Sequence, residues 1–269
     1  MTPSLVDAVG ALLREVAADV VMPRFASLAP DDIELKAPGD PVTVADREAE
    51  IRIADALLKL LPGSRVVGEE ACAKNPALIE NIDQGQVWIV DPIDGTGNFA
   101  AGRAPFAMMV AMLVEGEVTG SWILDPQSGR LAVAELGGGS WIEGERLRTN
   151  AAAVPSSELE GIVSEAFLPP DRRGIVDRLR REVGAVHPTA RCAGFEYPLV
   201  ALGGRHFALY WRTLAWDHAP GALLLREAGG SVSHLDGSPY HPAHPRPGLL
   251  LSHNPLISRD LLAIIADDN

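Results

Sequence analysis

The sequence predicts a protein of mixed class, with an α+β arrangement in the first half of the chain and an α/β arrangement in the second. Two helical patterns precede a series of strands joined by short turns in the first half, whereas strand and helix patterns alternate in the second. The 269 residues, 47% of them hydrophobic, are enough for one large or two modest domains with hydrophobic cores. We favour two domains, residues 1–150 and 151–269, with the boundary near residue 150.

Two amphipathic helices are predicted near the start of the chain. Apolar residues recur at three- and four-residue spacing from residue 5 to residue 20, which indicates a helix that ends near Pro23. A second helix is predicted after Thr43, and Pro62-Gly63 ends it. Its apolar stripe is expected to contain Ile51, Ala54, Leu57, Leu58 and Leu61.

The remainder of the first half is predicted to be β-structure. The strand patterns cover residues 65–68, 87–91, 107–114, 118–124 and 130–136. Glu115-Gly116 and Asp125-Pro126 provide turns between the last three segments, so we expect these to form an antiparallel meander.

Strands and helices alternate in the second half. Strands are predicted at residues 161–166, 187–191 and 206–211, and helices at residues 172–183, 195–202 and 217–228. Gly229-Gly230 ends the last of these helices, because glycine readily adopts the left-handed conformation that follows a helix.

Charge and cysteine content limit the functions to consider. The net charge of −13 gives the chain no general attraction for nucleic acid or for anionic membranes, so we expect neither as a partner. No apolar segment reaches the roughly 18 to 20 residues that span a bilayer, and Asp7 and Arg14 interrupt the first apolar pattern, which favours a helix over a signal peptide. Cys72 and Cys192 lie far apart in sequence, as is typical of reduced core thiols in a cytoplasmic protein.

The most informative segment is residues 91–96, which follows the apolar strand at residues 87–90. It places the carboxylates of Asp91 and Asp94 three residues apart on a turn, and the Ile93 carbonyl between them could add a third oxygen. Mg2+ prefers such oxygen ligands and commonly shares them with a substrate phosphate. Gly95 allows close approach of the backbone, and if a helix opens at residues 95–98, its N–H groups face an anion.

Each acidic motif also has an ordinary structural interpretation. The Asp91-Pro92 pair is compatible with a simple exit from a strand, an acid at position 46 complements the dipole of the second helix, and Asp217 could be a helix N-cap. Glu69 likewise follows a short apolar strand. Taken together, isolated acids stand where several apolar elements begin or end, and this pattern indicates a shared metal and phosphate site.

The joint motifs resemble those of the inositol monophosphatase family over most of the chain. In chain order they are DPVTVAD at 40–46, GEE at 68–70, WIVDPIDGTGNF at 88–99, WDHAPG at 216–221 and EAGG at 227–230. The resemblance implies a layered α-β-α-β-α sandwich of the inositol monophosphatase and fructose-1,6-bisphosphatase type. It also implies a lithium-sensitive phosphatase that uses two to three Mg2+ ions, and a homodimer.

The resemblance further implies roles for individual residues. Glu69, Asp91 and the Ile93 carbonyl would bind the first metal, and Asp91, Asp94 and Asp217 the second. Gly95 and Thr96 would bind phosphate through the backbone, while Thr96 and Asp46 would orient the attacking water. Lys36 would either contact the phosphate region or be a solvated surface charge.

The substrate side departs from the family pattern. Arg191-Cys192-Ala193-Gly194 stands where inositol-specific members have a Gly-Ser/Thr-Ala-Ala run, and Cys192, Ala193 and Gly194 are expected to bind substrate. Gly97 replaces a threonine of the central motif. Tyr210 stands where inositol-specific members carry an acid, and a phenol cannot accept charge-assisted hydrogen bonds as a carboxylate does.

Tyr210, Trp211 and Arg212 therefore suggest an aromatic and cationic wall for a flat or additionally anionic substrate, unless the two aromatic residues are plain strand residues.

The expected activity is hydrolysis of a small phosphorylated metabolite. Alternatives are histidinol-phosphate phosphatase, fructose-1,6-bisphosphatase and 3'(2'),5'-bisphosphate nucleotidase activity. A non-catalytic regulator is less favoured because the acidic motifs are intact. A Ca2+-binding structural module is disfavoured because no DxDxDG-type loop is present.

Overall fold

The first helices cover one side of the molecule. The computed structural model describes residues 3–266. Helix α1 spans Pro3–Val16 and continues through a π-helical turn at Ala17–Val21 and a 3-10 turn at Met22–Arg24, so the predicted end near Pro23 is confirmed. A hairpin not predicted from sequence follows, with β1 at Ile33–Ala37 antiparallel to β2 at Asp40–Thr43.

Helix α2, Val44–Leu60, begins at a capping box. The Thr43 hydroxyl accepts the Ala45 N–H at 3.1 Å, and the Asp46 carboxylate accepts the Thr43 N–H at 2.8 Å. The predicted apolar stripe is wrong at two positions, because Ile51 is 63% and Leu58 41% exposed. The helix packs on β4 and α1 through a different face, which buries Ala45, Asp46, Ala49, Glu50, Ile53 and Leu57.

A seven-stranded sheet occupies the first half of the chain, in the order β3-β4-β5-β6-β7-β8-β9. Its strands are β3 Arg65–Gly68, β4 Gln86–Asp94, β5 Ala107–Val114, β6 Glu117–Leu124, β7 Leu131–Glu135, β8 Gly139–Ile142 and β9 Glu145–Leu147. Strand β3 is parallel to β4, and all other neighbours are antiparallel, which confirms the predicted meander and adds two short strands to it. Two short helices, α3 at Glu69–Lys74 and α4 at Thr96–Ala100, follow β3 and β4 directly.

A five-stranded sheet occupies the second half, in the order β11-β10-β12-β14-β13. Its strands are β10 Glu160–Val163, β11 Ala185–Pro188, β12 Phe207–Tyr210, β13 Ser231–His234 and β14 Leu249–Ser252. Strand β10 runs parallel to β11 and β12, whereas β14 is antiparallel to β12 and β13. The sequence predicted β12 but neither β13 nor β14. The strand predicted at residues 187–191 ends at Pro188 instead, and Arg191 has a left-handed φ of 59°.

The helices of the second half are α5 Arg173–Glu182, α6 Ala193–Ala201, α7 Ala215–Ala228 and α8 Pro255–Ala266. Helix α7 lies between the sheets, packed on β4 to β8 on one side and on β13 on the other. Helices α1 and α2 pack with one face of the first sheet, and α5 and α8 with the outer face of the second. These layers confirm the predicted α-β-α-β-α sandwich.

The core contains the two cysteines, and both are free and buried, as expected for core thiols. The division into domains at residue 150 stays a prediction; the two sheets lie on either side of that residue, but α7 packs with both. No helix within residues 3–266 is long and apolar enough to cross a membrane.

Candidate active site

The centre of the site is the turn between β4 and α4. Gly95 caps α4 with a left-handed φ of 87°, and the Asn98 N–H donates to the Gly95 carbonyl at 2.8 Å, so a helix does open at these residues. A Cβ at position 95 would lie 3.0 Å from the Pro105 carbonyl oxygen and 3.3 Å from that of Arg191. Glycine is therefore required both by the backbone conformation and by the tight packing.

Asp91 is a buried carboxylate, 2% exposed, at the point where β4 meets this turn. Its Oδ1 atom is buried without a hydrogen-bond partner among the described residues. Burial raises the pKa of Asp91 well above its ordinary value, and the nearby charges of Glu69, Asp94, Asp217 and Asp46 raise it further. The structure thus brings together five acids from four separate segments of the sequence.

Asp94 and Asp217 are held in this cluster by different elements. The Asp94 Oδ2 atom accepts the Gly194 N–H at 2.6 Å, and burial raises the pKa of Asp94 to about 7. Asp217 lies in the first turn of α7, where burial and then the charge of Asp94 raise its pKa. The N-cap of α7 is Leu214, so the interpretation of Asp217 as an N-cap is wrong.

Thr96 connects Asp46 to the turn. Its Oγ1 atom lies 3.0 Å from Asp46 Oδ1 and 2.9 Å from the Ile93 carbonyl oxygen, so its single proton can go to either acceptor. Asp46 is fully buried, and burial raises its pKa to about 7 in spite of the hydrogen bonds from Thr43 and Thr96. The hydroxyl therefore links Asp46, whose pKa is near neutral, to the Ile93 carbonyl, which is expected to be a metal ligand.

Lys36 is not a solvated surface charge. Its Nζ atom lies 2.6 Å from Glu69 Oε1 and 2.9 Å from Glu70 Oε1, and the lysine side chain is only 13% exposed. Burial opposes protonation, but the two glutamates outweigh it and raise the pKa of Lys36. Glu70 was missed as a site residue because its sequence context does not distinguish it from Glu69.

The oxygen-rich cluster fits a hard divalent cation. Among the described residues, no group of three or more His, Cys, Asp or Glu side chains is arranged as a metal-ligand set. The ammonium of Lys36 contacts Glu69, and the neighbouring carboxylates raise the pKa of Asp91 by repulsion. The unpartnered Asp91 oxygen and the surrounding carboxylates nevertheless provide the donors that Mg2+ prefers.

The residues from Cys192 to Gly194 pack against the central turn at the start of α6. The Cys192 thiol lies 3.6 Å from the Asp94 carbonyl oxygen, and burial raises the pKa of this thiol. Ala193 is buried beside it, and a Cβ on Gly194 would lie 2.6 Å from the Ala107 Cβ. This segment therefore positions Asp94 through the Gly194 N–H.

Tyr210 lies behind the expected wall rather than on it. It is 7% exposed, stacks on Tyr197, and its hydroxyl donates to Glu196. Trp211 packs partly buried in the outer core, so of the three expected wall residues only Arg212 is exposed. Sequence reasoning missed Glu196, although a lone acid within the apolar segment of α6 is a signal that it has buried partners.

Comparisons with known proteins agree with this geometry. The sequence model of the inositol monophosphatase family matches residues 4–266. An inositol-1-monophosphatase of Rhizobium meliloti is 34% identical over 207 residues, covering 76% of each chain. A fructose-1,6-bisphosphatase/inositol-1-monophosphatase of Thermotoga maritima is 32% identical, covering 74% of this chain and 73% of the relative.

Solved structures give the same result. An IMPase of Thermotoga maritima superposes with a TM-score of 0.81 at 28% identity, covering 96% of this chain and 95% of the other. The chain is therefore a member of the inositol monophosphatase family and a phosphoric monoester hydrolase.

Proposed function

We propose that the protein hydrolyses the phosphate monoester of a small metabolite, with Mg2+ at the carboxylate cluster, by direct attack of water on phosphorus. The observation that carries this proposal is the buried Asp91, which has an unpartnered oxygen and lies among the charges of Glu69, Asp94 and Asp217. Such a cluster is unfavourable unless it is protonated or neutralised by cations. A phosphate monoester adds further negative charge, which makes the need for cations greater.

Two to three Mg2+ ions would be bound by residues of both halves of the chain. Glu69, Asp91 and the Ile93 carbonyl would hold one, and Asp91, Asp94 and Asp217 another; the number of ions rests on the family resemblance. When bound, Mg2+ neutralises the phosphate, activates water and stabilises the leaving oxygen. Lys36 would have to release Glu69, which it contacts at 2.6 Å, for this carboxylate to turn towards a metal.

The protein's own groups would then orient the reactants. Thr96 and Asp46 would orient the attacking water, with Thr96 Oγ1 accepting the proton of the water as its own proton passes to Asp46 Oδ1, 3.0 Å away. Burial raises the pKa of Asp46 to about 7, which suits it to receive that proton. The backbone N–H groups of Gly95 and Thr96 would bind the phosphate at the opening of α4. No side chain is required to form a covalent intermediate.

The substrate is expected to be a small phosphorylated metabolite, and a simple inositol phosphate is less favoured than the family name suggests. Tyr210 occupies the position of the usual inositol-binding acid, and its partner Glu196 is fully buried and accepts hydrogen bonds from Tyr210, Thr189 and Ala190. Histidinol phosphate, fructose 1,6-bisphosphate and 3'-phosphoadenosine 5'-phosphate are the alternatives. The name of the Thermotoga maritima relative supports inclusion of a sugar bisphosphate. We further propose a cytoplasmic homodimer, as the resemblance implies.

Phosphate release from a panel of phosphomonoesters, measured with and without Mg2+, tests the proposal. We expect release that depends on Mg2+ and that Asp94→Asn abolishes, because this change removes one of the proposed ligands. Asp171→Asn is the matched control, since this exposed aspartate lies outside the cluster and pairs with Arg172 at 3.7 Å. Absence of release from every substrate, with Asp94→Asn indistinguishable from the parent, would refute the proposal and favour a non-catalytic regulator.

A further inference from the structure

An exposed aromatic and cationic pair lies at the same edge of the second sheet as Asp217. Phe167 follows β10 and Arg212 follows β12, and because these strands are parallel, both residues lie at the strands' carboxyl ends. The guanidinium of Arg212 lies 4.3 Å from the centre of the Phe167 ring. Phe167 is 53% exposed, so the pair presents a flat, charged surface to solvent.

Arg212 is fixed through its backbone while its charged end stays available. The buried His218 ring has its Nε2 atom 3.0 Å from the Arg212 carbonyl oxygen, which holds this residue directly before α7. Within residues 3–266, the guanidinium donates no side-chain hydrogen bond and forms no ion pair, and it lies over the Phe167 ring. A stacked guanidinium keeps its N–H donors in its own plane, where they can bind an anion in a bidentate manner.

The path of the chain links this pair to the reaction site. Arg212 lies between the end of β12 at Tyr210 and the first turn of α7, which carries Asp217. Arg212 and Asp217 therefore lie at the same end of the second sheet. The buried Glu196 carboxylate behind this wall already accepts hydrogen bonds from Thr189, Ala190 and Tyr210, whereas Arg212 is exposed and can donate to an anion.

We propose that Arg212, stacked on Phe167, binds a second anionic group of the substrate, a phosphate or a carboxylate remote from the phosphate that is cleaved. This inference rests on the proposed phosphatase function and assigns its specificity. It predicts a preference for substrates that carry two anionic groups over matched substrates that carry one. The ring contributes by holding the guanidinium in place, which reduces the entropy lost on binding.

Two matched substrate pairs test the inference. Fructose 1,6-bisphosphate is compared with fructose 1-phosphate, and 3-phosphoglycerate with glycerol 3-phosphate, as kcat/KM in the presence of Mg2+. We expect a preference of about tenfold or more for the doubly anionic member of at least one pair, as is usual for a bidentate charge-assisted contact, with the responding pair identifying phosphate or carboxylate. Arg212→Gln should reduce this preference to near one, mainly through KM.

Further variants separate the contributions of charge and stacking. Arg212→Lys keeps the positive charge but loses the planar, bidentate guanidinium, and Phe167→Leu removes the ring on which the guanidinium stacks. Both variants should therefore reduce the preference by less than Arg212→Gln does. Arg181→Gln, which removes an exposed charge on α5, should leave it unchanged. Release without preference in either pair, or a preference that survives Arg212→Gln, would overturn the inference and leave the phosphatase function standing. No release from any of the four compounds would overturn both.

Discussion

Replacing Gly68 with alanine should disturb the turn that carries Glu69. Gly68 ends β3, and a Cβ at this position would lie 2.3 Å from Glu50 Cδ and 2.4 Å from Glu50 Oε2. The Glu50 carboxylate accepts the backbone N–H groups of Glu70 at 2.7 Å and Ala71 at 2.8 Å, and so caps α3, whose first residue is Glu69. An alanine would force the Glu50 side chain away from these donors.

The magnitude follows from the two hydrogen bonds that would be lost. A hydrogen bond to a charged group contributes about 1.5 to 3 kcal/mol, so two lost bonds set an upper range of about 3 to 6 kcal/mol. Burial raises the pKa of Glu50 to about 7, so part of the carboxylate is protonated near neutral pH and the lower end of this range applies. We therefore expect the free energy of unfolding to fall by about 3 kcal/mol.

Urea unfolding and a Mg2+ titration of activity measure the two consequences. Groups that support metal ligands commonly change metal affinity by about 10- to 100-fold, so the Mg2+ concentration for half-maximal activity should rise by about tenfold. Gly174→Ala is the control, because a Cβ there meets nothing closer than Arg178 Nη1 at 3.8 Å, and alanine should stabilise α5 by about 0.4 to 1 kcal/mol. Parent-like stability together with parent-like Mg2+ dependence in Gly68→Ala would show that Glu50 does not hold α3.

Three further predictions concern buried side chains and inhibition. Burial lowers the pKa of His218 from 6.5 to about 4, so the stability that the neutral ring contributes is complete above pH 6.5 and is lost as the pH falls towards 4. His218→Gln should therefore reduce the dependence of the free energy of unfolding on pH between about 4 and 6.5. An unchanged slope in this range would contradict the assignment. Tyr210→Phe should destabilise the fold by about 1 to 3 kcal/mol, because it removes a donor from the buried Glu196. Tyr240→Phe should be neutral or stabilising, since the Tyr240 hydroxyl has no partner among the described residues. Thermal unfolding of both variants measures this difference, and equal losses in both would refute the role of Glu196. Millimolar Li+ should inhibit phosphate release, an expectation that rests on the family resemblance, and full activity at saturating Li+ would count against the proposed metal arrangement.

Local sequence patterns predicted the long elements because those elements depend on nearest-neighbour chemistry. Strand β5 has the bounds that its continuous apolar run indicated, and Thr43 and Asp46 mark the start of α2 through a capping box. The hairpin at residues 33–43 and the pair β13 and β14 were not predicted. Their strands are only four or five residues long, and what defines them is pairing with partners that the local sequence does not reveal.

The candidate site likewise contains residues that could be predicted from the sequence and residues that could not. The acids at the ends of β4 and at the start of α7 could be found from sequence, since an isolated carboxylate beside an apolar element is a local signal. The partners of Lys36 lie 33 and 34 residues away, and Glu196 lies 14 residues from Tyr210 on a different element, so these contacts exist only after folding. The misassigned stripe of α2 has a related cause, because packing against β4 and α1, rather than hydrophobicity alone, decides which face is buried.

The position of α7 between the two sheets has a consequence for how activity arises during folding. A chain that ended near residue 150 would leave the inner face of the seven-stranded sheet uncovered and would lack Asp217. Apolar surface of that extent favours aggregation over an independent fold. The carboxylate cluster is complete only once α7 has been enclosed from both sides. Hydrolytic activity would therefore require the whole chain to be folded, and an incompletely synthesised chain would be inactive.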